Sequence, residues 1–363
     1  MTLGLVLAIG ESLKDFKEKG QDRLLVEQNL KAYSQNFEKV FVFSYENEKY
    51  PLYKNCQLIT NRAGIYRYLY SLAMPLIHSK EFRQCDVLRG LQITGGIPSV
   101  VAKILYKKPF VINYGYDYEE ISKIEKKYVQ AFFYKLLTPI ILSFANVVIV
   151  TTAALEKKII NFKNKDVYVI PNGVDTRKFS PTRKKLKDSV KKILFVGRLE
   201  PQKNLLSLIE AISKLKVKNE LIFIGKGSQK KELLKLANKL KVNLKIIDKV
   251  SHNQLPKIYR QADIFVLPSF IEGHPKVLLE AMSTELTCIG TDTDGIRAVI
   301  SDKETGLLTG TGPEQIREAI EYLINNPKNA LQLGKRARKY VIDNYDFANL
   351  MKKENKLLKS LIK

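Results

Sequence analysis

The stretch LPSFIEGHPKVLLEAM, residues 267–282, decides how the rest of the chain reads. Ahead of it, residues 263–267, DIFVL, are short, apolar and partly β-branched, as in a buried parallel strand. Pro268-Ser269 ends that strand and Gly273 permits a sharp turn. Pro275 sits where a helix starts, a position at which its missing N–H costs nothing. Helix is therefore expected over 276–283. Glu272 then lies in the loop at the carboxyl end of the strand, the end at which ligands bind in open α/β sheets. Glu280 lies inside the helix, with Val277, Leu278, Leu279, Ala281 and Met282 around it. A carboxylate so placed needs hydrogen-bond donors, supplied either by a polar ligand or by the protein itself.

At 363 residues the chain has room for two domains, and its 45% hydrophobic content is ordinary for a globular protein. Cys56, Cys85 and Cys288 show no metal-ligand spacing and fall in or beside apolar runs, which suits buried thiols in a reducing compartment. The opening MTLGLVLAIGES lacks a basic leader and a small-residue cleavage site, and reads as a first strand rather than a signal peptide. No run approaches the roughly 18 to 20 apolar residues needed to span a bilayer. The expected location is cytoplasmic, with peripheral attachment to the inner face of the cell membrane left open. The net charge of +24 is uneven, with 24 Lys and Arg against 17 Asp and Glu in residues 1–175 and 37 against 20 in residues 176–363. Such a field attracts anionic ligands without choosing between nucleotides, phospholipid surfaces and nucleic acid. Mixed lysines without a recognition motif or aromatic stacking platform argue against a specific nucleic-acid partner.

Short apolar strands alternating with helices predict βαβ units and parallel sheets. In the first half, strands are expected at 3–9, 40–44, 86–88, 110–113, 146–150 and 167–170. Gly20 precedes a helix expected over roughly 22–33, where a glycine lets backbone amides approach a phosphate or sugar. Arg89 and Tyr114 open loops at strand ends. Residues 62–80, RAGIYRYLYSLAMPLIHSK, and 126–144, KKYVQAFFYKLLTPIILSF, read as helices that Pro75 and Pro139 should kink or end. Each is either an ordinary core-facing helix or an interfacial helix touching an anionic membrane. Pro171-Asn172-Gly173 marks a rigid turn before the lysine-rich residues 177–192, and the domain boundary is placed there. The second half restarts the pattern, with strands at 192–196, 221–224, 244–247, 263–267 and 287–290. The expected architecture is α/β, with two Rossmann-like domains (1–175 and 176–343) facing across a cleft. A last helix within 344–363 is free to pack back on the first domain.

Arg198 follows Gly197 directly after a strand, and Lys203 starts the next helix; an arginine fork and a lysine point charge so close suit a diphosphate. Gly225 opens another glycine turn at a strand end. Glu280 is placed to accept both hydroxyls of a ribose, and Glu272 those of a second sugar ring. Gly273, His274, Pro275 and Lys276 complete the loop, and the backbone N–H groups of Val277 and Leu278 are placed to meet phosphate oxygens. A glycosidase pair of acid and nucleophile is the competing use of two carboxylates. The neighbouring cations favour a departing phosphate, whose developing charge they would stabilise. His78, His252 and His274 form no HxH or HExxH spacing, and Asp292-x-Asp294 reads more readily as a polar surface loop than as a cation site. No metal and no cofactor are expected. His274 is the one candidate general base, with a structural or orienting role equally open.

Taken together, these residues resemble the retaining GT-B glycosyltransferases of family 4, the glycosyl transferases group 1 class. The resemblance rests on IPNGVD (170–175), FVGRL (195–199), Lys203-Asn204-Leu205, IGKG (224–227), ADIFVLPSFIEGHPKVLLEAM (262–282) and TGLL (305–308). It implies transfer of a hexose-type sugar from a UDP-, GDP- or ADP-sugar to a hydroxyl of a glycan or lipid-linked acceptor, as in polysaccharide or glycolipid biosynthesis, without a required metal. It assigns the donor to the second domain and the acceptor to the first, where Gly20, Arg89 and Tyr114 are candidates. For Arg198 and Lys203 it implies contact with the diphosphate, for Glu272 with the transferred hexose, and for Glu280 with the ribose. Glu272, Arg198 and Lys203 are thus the expected catalytic residues. Other GT-B chemistry (a phosphorylase or a sugar-nucleotide epimerase) and a catalytically weakened sugar-nucleotide-binding protein remain alternatives. Four departures stand out. Tyr114-Gly115 replaces a His-Gly pair, and Ser283–Thr287 lacks the usual helix-ending glycine, so the chain after it is expected to take another path. Arg297-Ala298 replaces Pro-Glu, and Gly20 stands where a double glycine is common.

Overall fold

The computed structural model describes residues 1–18, 24–115, 117–124, 126–160, 166–182, 190–248 and 250–362. The candidate Gly20 lies outside these described residues. The chain divides into two compact units. One comprises Met1–Glu119, Tyr128–Ile170 and Leu350–Lys363, the other Glu120–Lys127 and Pro171–Asn349.

The first unit is built on β1 (Thr2–Val6), β2 (Lys39–Phe43), β3 (Cys56–Ile59), β4 (Val87–Gly90), β5 (Phe110–Tyr114), β6 (Val147–Val150) and β7 (Asp166–Val169). They form one parallel sheet in the order β3-β2-β1-β4-β5-β6-β7. Its central strands bury nearly every residue, as strands covered by helices on both faces must. β3 is absent from the sequence reading because CQLI is a half-exposed edge strand with no sustained apolar run. Pro75 and Pro139 do not end their helices: Arg67–Ile77 and Tyr128–Phe144 run through them. Pro75 lies two residues from its helix end. Pro139 removes the donor for the Lys135 carbonyl, at an exposed residue where water can take its place.

The second unit repeats the plan with β8 (Lys191–Val196), β9 (Asn219–Ile224), β10 (Leu244–Ile247), β11 (Ile264–Leu267), β12 (Thr287–Thr291) and β13 (Leu307–Thr309). The parallel order is β10-β9-β8-β11-β12-β13. Strand order reverses between β8 and β11, which pair directly through Ile193↔Ile264 although a long stretch of chain separates them. That reversal is a switch point, where loops diverge and leave a crevice beyond the strand ends.

The boundary lies at 170/171 rather than at 175/176. Val174 is buried in the second unit's core, its N–H donates to the Tyr345 carbonyl (2.9 Å), and its carbonyl accepts from the Phe347 N–H (2.9 Å). The turn after Ile170 is thereby held in the second unit. The helix Phe347–Ser360 buries Leu350, Met351, Glu354, Leu357 and Leu358, and from Leu350 onward it belongs to the first unit.

One departure from the family pattern places an unusual residue at the helix end. Glu285 itself adopts the left-handed conformation (φ 61°) that a glycine would take, and the chain enters β12 two residues later. The conformation costs a non-glycine residue roughly 1–2 kcal/mol. A close approach follows from it: a Cβ on Gly334 would lie 2.2 Å from the Glu285 carbonyl oxygen, so only glycine fits there.

Candidate functional site

The loops that leave β8 and β11 carry the charged candidate residues of the second unit. After Val196 the chain turns through Gly197 and exposes Arg198. This loop rests on the one after β9: a Cβ on Gly225 would lie 1.8 Å from the Gly197 carbonyl oxygen, and one on Gly227 would lie 2.1 Å from that of Leu199. Both approaches require glycine. Leu199 N–H donates to the Lys226 carbonyl at 2.8 Å and locks the two loops together.

Lys203 ends a single turn, Pro201–Lys203, and is followed by Asn204 in the left-handed region (φ 54°), which asparagine tolerates better than most residues. Asn204 is fixed by its Nδ2 on the Thr311 carbonyl (2.8 Å) and by the Ser207 hydroxyl on its Oδ1 (2.7 Å). The Phe270 N–H donates to the Gln202 carbonyl at 2.9 Å, tying this turn to the loop after β11. Lys203 Nζ then meets Glu272 Oε1 at 2.6 Å, with side chains only 12% and 11% exposed. Ser269 donates to the same oxygen at 2.7 Å. Among the described residues, no donor lies on Oε2. An ammonium has three protons to give, so Lys203 keeps donors beyond the one Glu272 takes. Gly295 completes the support: a Cβ there would lie 2.1 Å from the Glu272 carbonyl oxygen and 2.4 Å from that of Gly273.

The helix Lys276–Ser283 begins after Pro275, as expected, and buries Leu278 through Ser283. Glu280 is 5% exposed. Its Oε1 is bonded by His252 Nε2 and its Oε2 by the Tyr259 hydroxyl, each at 3.0 Å. On the far side of the imidazole, Lys178 Nζ lies 3.0 Å from Nδ1. An ammonium has no lone pair, so Nδ1 accepts and Nε2–H donates to Glu280. Burial first, and then the Glu280 charge, raises the Tyr259 pKa well above its ordinary value, so the phenol stays protonated and donating. The protein therefore already satisfies the carboxylate that sequence reasoning left in need of donors. Lys178, His252 and Tyr259 were missed because no short spacing links them to Glu280; the fold alone brings them together.

Two further expectations change. The Leu278 N–H donates to the Pro275 carbonyl (3.1 Å) and is not open to a phosphate. His274 is buried, its ring packs on Tyr345 (centroids 5.2 Å apart), and burial, aided by Lys276, lowers its pKa to about 3. A group so weakly basic is a poor general base near neutral pH. Its Nδ1 has no partner among the described residues, while its carbonyl accepts from Asn172 Nδ2 at 2.7 Å. Asp292 and Asp294 both pair with Arg297, at 2.7 and 3.1 Å.

The two described candidates in the first unit are buried. Arg89 is 3% exposed and bonds Glu354 Oε1 (2.7 Å), the Gly90 carbonyl (2.8 Å) and Asn113 Oδ1 (2.8 Å), while Tyr33 donates to the same Glu354 oxygen (2.7 Å). Burial alone would lower the guanidinium pKa, and Glu354 and Tyr33 more than reverse it. With all three nitrogens bonded, Arg89 braces the terminal helix instead of facing an acceptor. Tyr114 is buried in the first unit's core, edge-on to Tyr118 at 5.8 Å.

Residues 176–340 match the family model described as Glycosyl transferases group 1. A stretch of 279 residues is 28% identical to an uncharacterized glycosyltransferase of Methanocaldococcus jannaschii, covering 72% of this chain and 71% of that protein. A stretch of 160 residues is 38% identical to the UDP-Gal:alpha-D-GlcNAc-diphosphoundecaprenol alpha-1,3-galactosyltransferase of Escherichia coli, covering 39% of this chain and 41% of that relative. Among solved structures, sucrose-phosphate synthase from Thermosynechococcus elongatus superposes with a TM-score of 0.84 over 99% of both chains at 19% identity, which shows a shared fold. Residues 176–340 thus form a glycosyl transferases group 1 domain, and the chain is a glycosyltransferase of the GT-B fold.

Proposed function

We propose that the chain is a retaining, family 4-type hexosyltransferase that moves a sugar from a nucleotide diphosphate donor to a hydroxyl of a glycan or lipid-linked acceptor. The observation that carries this is the Lys203–Glu272 pair, set beside the Arg198 loop at the β8/β11 switch point. In this reading Arg198 and the remaining Lys203 protons bind the diphosphate. Glu272 Oε2 accepts hydroxyls of the hexose, and the Val277 N–H in the first turn of the helix supports a phosphate oxygen. Glu280 reaches the ribose only through lone pairs that His252 and Tyr259 leave unused.

The acceptor oxygen attacks the anomeric carbon on the face from which the diphosphate leaves. The bond from that carbon to the phosphate oxygen breaks, its electron pair stays on the oxygen, and the acceptor proton moves to the departing phosphate. Catalysis is then mainly positioning and stabilisation of the diphosphate charge by Arg198 and Lys203. His274 orients its loop and does not take the acceptor proton. The E. coli relative's printed name favours a UDP-sugar and a diphospholipid-linked acceptor. The three free thiols suit a reducing, cytoplasmic setting.

The test is incubation with UDP-, GDP- and ADP-sugars, with and without chelator, followed by NMR of the product's anomeric proton. Donor turnover with the donor's anomeric configuration kept in the product is expected. An inverted product would overturn the retaining assignment. Phosphate-dependent glycan cleavage, or conversion of the free sugar nucleotide without acceptor, would point to the other GT-B chemistries.

A further inference from the structure

Three helices on the first unit leave large apolar side chains in solvent. Gly96–Tyr106 packs against both Arg67–Ile77 and Tyr128–Phe144. It is tied to the first by the Tyr106 hydroxyl on the Pro75 carbonyl (3.0 Å) and to the second by Lys103 Nζ on the Phe144 carbonyl (2.6 Å). On Arg67–Ile77, Leu69, Leu72 and Leu76 are 63%, 55% and 60% exposed. On Tyr128–Phe144, Val129, Phe132, Phe133, Leu136 and Ile140 follow the i, i+3/i+4 spacing of one helical face and are all at least 50% exposed. The opposite face of the same helix buries Ala131, Ile141 and Leu142. Exposed apolar surface on this scale marks an interaction site.

Charge selects the occupant. None of the three helices contains an Asp or Glu, while each contributes a basic residue, Arg67, Lys103 and Lys135. Arg67 and Lys135 are exposed. Apolar and aromatic side chains interleaved with cations suit the boundary between anionic headgroups and acyl chains. A second copy fits less well, because a two-fold contact would set Arg67 and Lys135 of one copy against the same cations of the other. No described helix is long and apolar enough to cross a membrane, so the contact is one of lying on the surface.

We propose that this face docks the first unit onto a bilayer rich in anionic phospholipid. The docking extends the reading of a lipid-linked acceptor but is measured independently of it. The chain has no tryptophan, so Phe133→Trp places a single reporter on the face and Tyr322→Trp a control on the other unit. With vesicles of equal phosphatidylcholine and phosphatidylglycerol at low salt, emission from Phe133→Trp should shift to the blue while that from Tyr322→Trp stays put. Vesicles of phosphatidylcholine alone should give a smaller shift. In co-sedimentation, the triple substitution Phe132→Ser, Phe133→Ser, Leu136→Ser should weaken partitioning about tenfold or more. Binding by the triple variant equal to wild type, or no wild-type binding to either vesicle, would overturn the proposal. So would lipid-free self-association that the same substitutions abolish, which would assign the face to a second copy. Donor hydrolysis by the triple variant, assayed without lipid, keeps this outcome separate from the transferase reading.

Discussion

Among the described residues, Arg89–Glu354 and Lys203–Glu272 are two well-shielded ion pairs that join an arginine or lysine to a glutamate, and they are completed differently. Arg89–Glu354 is almost wholly buried, and every guanidinium nitrogen has a protein acceptor. Lys203–Glu272 is comparably short but sits at strand ends, with no donor on Oε2 among the described residues and ammonium protons to spare. The first pair is closed and joins a terminal helix to a sheet. The second is held in place yet chemically unfinished. On the proposed reading, unused hydrogen-bonding capacity, more than burial, separates a binding group from a brace.

The contrast is broken most readily by substitution. Arg89→Ala strands Glu354 in the core and should cost about 3–5 kcal/mol of stability, read by urea denaturation. Mild destabilisation with a selective rise in acceptor KM would instead return Arg89 to the acceptor site. Lys203→Ala should lower kcat about 10²–10³-fold, roughly 3–4 kcal/mol of transition-state stabilisation. Its urea midpoint should stay near wild type, and unfolding in place of a kinetic loss would make this pair a brace as well.

Smaller effects sharpen the picture. His274 has a folded pKa of about 3, below its ordinary value, so the unfolded chain takes up the proton first. Its contribution is fully present above the unfolded pKa and is lost as pH falls through the window between about 6.5 and 3. By pH 5 the loss should be about 2 kcal/mol. Comparing denaturation of wild type and His274→Phe across that range isolates it; parallel pH curves would show that the ring is not held neutral. Smallest of all, Glu285→Gly relieves a left-handed non-glycine residue and should raise stability by about 1 kcal/mol. A drop in Tm would show that the Glu285 side chain outweighs the strain.

Legibility followed the locality of each signal. Asp263–Leu267 with Pro268, Gly273 and Pro275 carries its own strand, turn and helix start, and the helix Lys276–Ser283 begins where those residues place it. Lys203 and Glu272 were legible as candidates because glycine turns and strand ends announce loops at a sheet edge. Their contact was not, since it depends on β8 pairing with β11. Glu280 was recognised as an anomaly, but His252 and Tyr259 approach it from elements that no local pattern connects. Arg89 misled for the same reason: its partner Glu354 lies near the other end of the chain. Glu285 shows that a non-glycine residue can hold a left-handed helix end when the strain is small beside the packing around it.

The most direct measurement is calorimetric titration of UDP-, GDP- and ADP-sugars into wild type and Lys203→Ala. At least one should bind the wild type saturably, and the variant should bind it about tenfold or more weakly, as loss of a charge-assisted contact to a diphosphate requires. Absence of binding by all three, or equal affinity in the variant, would contradict a diphosphate-gripping site at Lys203 and Glu272.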